Sequence, residues 1–125
     1  MIVLISIIIF VLVMTSGVSK AIMDTLAFHF YASDFSKLGS WWGPNRSWEN
    51  KYTWSRKNKV LRWLLSSPLV WVTDAWHFFQ AVFSVTFAAS FVIGGIFLPW
   101  WVCFITYVGH RLIFHIFFTW VFTKK

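Results

Sequence analysis

Thr73-Asp74-Ala75-Trp76-His77 places a carboxylate three residues before an imidazole, inside a stretch that is otherwise apolar from Pro68 to Phe97. In a helix this spacing turns both groups onto one face. A carboxylate in hydrocarbon is costly, so Asp74 must face protein, water or a cation. The other ionisable groups in apolar surroundings are Asp24 and His29, and then His110, Arg111 and His115. Imidazole and carboxylate are the usual ligands of zinc and non-haem iron. An acid three residues before a histidine also matches the Glu-x-x-His spacing of di-iron helix bundles, with a shorter side chain. The pattern predicts a divalent metal site, zinc or iron, from Asp74, His77, His110 and His115, with Asp24 and His29 as further candidates. Asp74 would be a ligand or a general base, and the substrate would come from the lipid phase.

Two features work against that site. His110 and His115 are five residues apart, as are Asp24 and His29. Five residues turn a helix by about 140° past a full revolution, so neither pair points at one ion. Arg111 supplies a rival partner. An Asp74–Arg111 ion pair between helices, with histidines as donors around it, would be purely structural. Thr25 and Thr73 each precede a histidine by four residues; they either orient an imidazole or bond their own helix. Noncovalent haem b needs only one or two histidines, so His77 with His110 or His115 gives a haem- or quinone-binding anchor as an alternative. A third reading is a non-catalytic accessory subunit. The chain has no phosphate-binding glycine loop, no paired cysteine motif and no nucleophile elbow.

These groups must be positioned by helices that cannot be soluble. Hydrophobic residues make up 58% of the 125 residues and charged residues 12%. A soluble domain carries roughly 25% charged residues, so this surface belongs in a membrane. The expected fold is all-α: one domain with three transmembrane helices and an amphipathic, Trp/Lys/Arg-rich interfacial segment between the first two. The first helix is expected over residues 1–31; its apolar start has no positive residue ahead of it and no good cleavage site, unlike a signal peptide. Residues 32–67 hold Lys37, Arg46, Lys51, Arg56, Lys57, Lys59 and Arg62, interleaved with tryptophans. That mixture reads as a segment lying on anionic headgroups, not as a nucleic-acid surface. The second helix is expected over 68–97, opening at Pro68. The third is expected over 100–122, between Trp100-Trp101 and the terminal Lys124-Lys125. With three spans, both basic regions fall on one side. The positive-inside rule then puts the N-terminus outside and the C-terminus in the cytoplasm.

Depth sharpens the prediction. At about 1.5 Å per residue, Asp74 and His77 lie roughly 9 and 13 Å in from Pro68, and His115 and His110 roughly 13 and 21 Å in from Lys124. All titratable groups of the helices therefore lie toward the cytoplasmic half. Ser84, Ala88, Ser90 and Gly94 make the second helix rich in small residues, a candidate contact for a homo-oligomer or a larger membrane complex.

Met23-Asp24-Thr25 through His29, Trp48-Glu49-Asn50-Lys51-Tyr52 and Thr73-Asp74-Ala75-Trp76-His77 resemble stretches of an uncharacterised family of small bacterial three-helix membrane proteins. The resemblance implies a bacterial plasma membrane and supplies no function. Three spans, buried histidines and Gly109-His110-Arg111 are also similar to the haem- and quinone-binding anchor subunits of succinate dehydrogenase, as an analogy of architecture.

Overall fold

The computed structural model describes residues 1–44 and 46–122, without the side chains of Ser47 and Trp48. Lys124, Lys125 and the Trp48 side chain therefore lie outside the described residues. Among the described residues five α-helices follow one another: α1 (Ile2–Phe28), α2 (Arg46–Trp54), α3 (Lys59–Ser66), α4 (Ala75–Phe97) and α5 (Trp101–Ile116). Wider i→i+5 turns prolong α5 through Phe117–Phe122. No strand occurs among the described residues. Three helices, Ile2–Phe28, Ala75–Phe97 and Trp101–Phe122, are long and apolar enough to cross a membrane. They are apolar on most sides, which suits a lipid surround.

α1 is the centre of the bundle, because α4 and α5 both pack against it and touch each other less. Its first turns stay exposed, as at Ile2, Val3 and Leu4, whereas most of its buried residues lie between Ser16 and Leu26. Small residues permit the close approach. Ser16, Ser19 and Ala21 are at most 2% exposed, and a Cβ on Gly17 would stand 2.7 Å from Ile113 Cγ2 and 3.1 Å from the His110 carbonyl oxygen. Further along the same helix, Ile22 and Leu26 of α1 enclose Ala75 of α4. Phe35, Trp41 and Trp42 from the connecting segment fold onto this cluster.

The helix limits differ from those expected. α1 stops at Phe28, not near residue 31, because His29 leaves helical geometry at φ −132° and ψ 21°. Short 3₁₀ turns then fold the aromatic residues back onto the core. The second long helix begins at Ala75, not at Pro68. Asp74 is extended, at φ −160° and ψ 169°, and caps the helix by accepting from the His77 backbone N–H. Aspartate is among the best N-cap residues, so it sets the boundary more firmly than a proline tolerated in a first turn. The small residues of α4 divide. Ser90 and Gly94 are buried within the chain, Gly94 facing Ile9 and Cys103, whereas Ser84, Ala88 and Gly95 face outward.

Candidate functional site

Asp74 and His77 meet, as their spacing predicts, but as a cap and its third residue instead of two positions within a helix. The Asp74 carboxylate is almost buried at 4% exposure. Oδ1 accepts from the His77 backbone N–H at 2.8 Å, and both oxygens lie 3.0 Å from His77 Nδ1. An ionised carboxylate only accepts, so Nδ1 carries the proton and Nε2 keeps its lone pair. The result is an oriented imidazole with one nitrogen available for a proton or a single ligand bond. The backbone just before the cap is non-helical and is satisfied from the connecting segment. Asn50 Nδ2 donates to the Thr73 carbonyl, and Trp41 Nε1 donates to the Val72 carbonyl at 3.3 Å.

His110 lies in a separate place, on the inner side of α5. It is 4% exposed, its Nδ1 is 3.1 Å from Ser16 Oγ of α1, and the Phe83 and Phe87 rings flank it with centroids 5.6 and 4.8 Å away. Ser16 also bonds the Val13 carbonyl at 3.0 Å. With the hydroxyl proton directed there, Ser16 Oγ accepts from His110 Nδ1–H. This bond joins α5 to α1 across the bundle.

A third group sits next to it on the basic-segment side. Lys20 pairs with Asp24 one turn along α1. The Lys20 Nζ also lies 5.6 Å from the centre of the Phe114 ring, and the Arg111 guanidinium carbon lies 5.3 Å from the same ring. One aromatic face system thus serves two cations, a favourable contact of modest strength.

The expected Asp74–Arg111 ion pair is not formed. Asp74 is engaged by His77, and among the described residues Arg111 has no carboxylate within ion-pair distance. His115 is exposed, with Nδ1 3.5 Å from Thr119 Oγ1. His29 ends α1 and meets the Phe118 ring edge-on at 5.4 Å. Thr25 and Thr73 bond their own chain, to the Ala21 and Val70 carbonyls at 2.8 and 2.6 Å.

The six candidate ligands therefore do not assemble into one site. Among the described residues, no group of three or more His, Cys, Asp or Glu side chains is placed to hold a metal ion. Geometry explains why. His110 packs on residues six and ten positions beyond His77, roughly 9–15 Å along α4, whereas a metal–imidazole bond is about 2 Å long. His110 and His115 diverge as five-residue spacing requires. Lys20 and Arg111 flank the His110 region, and a divalent cation there would meet two like charges. A cavity of about 500 Å³ opens between Tyr31, Ser40, Arg46 and Glu49, and none of the six candidates lines it.

Sequence reasoning missed Ser16, Lys20, Phe114 and Asn50. The Lys20–Asp24 spacing of four was a usable signal, because such pairs share a helix face. Asn50 and Ser16 had none, since only the fold brings them to their partners. No protein-family model, curated protein or solved structure matches the chain, so its functional reading rests on the contacts of its own residues.

Proposed function

We propose that the chain is a non-catalytic helical subunit of a larger membrane assembly, its polar groups serving as fasteners between and at the ends of helices. One observation carries this reading. Three of the polar groups within or at the mouth of the long helices, all of them among the expected ligands, close on separate neighbours in their own chain: Asp74 on His77, His110 on Ser16, Asp24 on Lys20. A reaction centre needs such groups to face a common point with room for a substrate. Here they lie in separate places: His110 joins α5 to α1, Asp74 caps α4, and Asp24 pairs along α1.

The remaining parts suit such a subunit. Three long apolar helices give a thin bundle with much outward apolar surface, as at Val85, Val92, Phe104 and Leu112. We place the N-terminus outside and the basic residues of the α2–α3 segment against anionic headgroups of the cytoplasmic leaflet of a bacterial plasma membrane. Elemental analysis and an absorption spectrum of protein purified without chelator test the reading. Metal far below one ion per chain and no Soret band are expected. A stoichiometric metal or haem that His77→Ala or His110→Ala removes would overturn it.

A further inference from the structure

Every carboxylate side chain of this sequence already has a basic side chain as its neighbour. The four Asp and Glu residues lie against Lys20, Lys37, Arg46 and His77, each three or four positions away in the chain. Arg111 has no such partner among the described residues; its guanidinium lies over the Phe114 ring. Its side chain is exposed on α5.

Its depth makes this unusual. Trp101 and Trp120 are both exposed, at 49% and 80%, and stand ten residues before Arg111 and nine after it. Tryptophan marks the two faces of a bilayer. At about 1.5 Å per residue, Arg111 lies about 15 Å from one marker and about 14 Å from the other, the middle of a hydrocarbon layer about 30 Å thick. Tyr107, Arg111 and His115 follow at intervals of four, so they form one polar stripe. All three are exposed, among exposed Phe104, Val108 and Leu112. Charged groups at this depth almost always face protein or a water-filled cavity and pair with one another.

We propose that the Tyr107–Arg111–His115 stripe is the docking surface for a transmembrane helix of a second, different membrane protein, one that carries a carboxylate near the middle of its span. The proposal rests on the reading of the chain as an assembly subunit and names the face and the chemistry of the contact. A second copy does not fit the stripe. A two-fold contact would bring Arg111 toward Arg111, and a copy offers no side-chain carboxylate that is not already held. A lipid phosphate lies at the membrane surface, about half a bilayer away from the Arg111 backbone. A carboxylate on a neighbouring helix meets the guanidinium at its own depth, with Tyr107 and His115 as flanking hydrogen-bond donors.

The test uses the full chain, dye-labelled at its amino terminus, in neutral phosphatidylcholine vesicles with leucine-rich transmembrane peptides. One peptide carries a single central Glu and the other only Leu, both at a dilution where neither self-associates. Energy transfer should show the Glu peptide binding about fivefold to thirtyfold more tightly than the Leu peptide, the range of one intramembrane polar contact. Arg111→Gln should abolish the difference, and Arg111→Lys should retain part of it. Circular dichroism shows whether each variant keeps its helix content; if Arg111→Gln does not, the Glu-against-Leu comparison on the unaltered chain decides. Equal binding of the two peptides overturns the proposal. So does Arg111-dependent energy transfer between copies without peptide, or an Arg111 effect confined to retention of anionic lipid in mixed vesicles. Metal analysis of the same preparation separates the two readings. Bound stoichiometric metal removes the non-catalytic subunit, whereas failure of the Glu peptide in metal-free protein removes only the docking surface.

Discussion

Replacing Asp74 by Ala and by Asn separates a helix cap from a chemical group. Asp74→Ala removes the acceptor of the His77 backbone N–H at 2.8 Å and of His77 Nδ1 at 3.0 Å. Loss of an N-cap costs about 0.5–2 kcal/mol. A buried donor left without its acceptor costs about 1–3 kcal/mol, less here because His77 is partly exposed. The two effects share one carboxylate and are not fully additive, so Asp74→Ala should destabilise by about 2–3 kcal/mol. Asparagine caps as well as aspartate, and its carbonyl oxygen can still accept from His77. Asp74→Asn should therefore stay within about 1 kcal/mol of the unaltered chain, the remainder being the lost charge at the helix N-terminus. Reversible unfolding in mixed micelles with increasing SDS, followed by circular dichroism, measures both. Asn as harmful as Ala, or Ala without effect, would refute the cap as the role of this residue.

Gly17→Ala puts a methyl group 2.7 Å from Ile113 Cγ2; it should destabilise by about 1–3 kcal/mol in the same titration, and Ile113→Ala should recover part of the loss. Ser16→Ala leaves the buried His110 Nδ1–H without its acceptor, so a loss of about 1–3 kcal/mol is expected. In a double-mutant cycle with His110→Leu, most of that loss should vanish, and strictly additive effects would contradict the bond. Asn50→Ala should release the connecting segment from the Thr73 carbonyl: trypsin should cleave faster among Lys51, Arg56, Lys57 and Lys59, with helix content unchanged.

The three long helices were legible because they depend on summed apolar length, which any window of the sequence displays. Their limits were less so. Pro68 and Asp74 both carry a helix-start signal, and apolar residues on each side give no periodicity to choose between them. The choice comes from the connecting segment, where Trp41 and Asn50 satisfy the backbone at Val72 and Thr73 and so permit the non-helical turn. Asp74 and His77 were legible as a pair, since three residues bring them together either as cap and third residue or within a turn. The wider cluster was not. His110 meets Ser16 because α5 packs on α1 beside Phe83 and Phe87, well along α4 from His77, and no one helix's sequence displays that offset between helices. Small residues gave a partial signal: those of α4 suggested a contact, and Ser90 and Gly94 do make one, but within the chain.

The short reach of the ion pairs bears on how the chain enters a bilayer. Lys20 with Asp24 and Asp74 with His77 are complete within a single turn, so each can form while its helix is still alone at the insertion machinery. A hydrogen-bonding partner that travels with each carboxylate lowers the cost of partition, and neither helix needs the other to be present first. Arg111 enters by a different route, as a bare cation costing about 2.5–3.5 kcal/mol at the centre of a helix. On the docking proposed above, a newly made copy would hold that penalty until the partner helix relieved it. Its lifetime in the membrane should then follow the supply of that chain, and overproduction alone should yield copies that are cleared instead of stored.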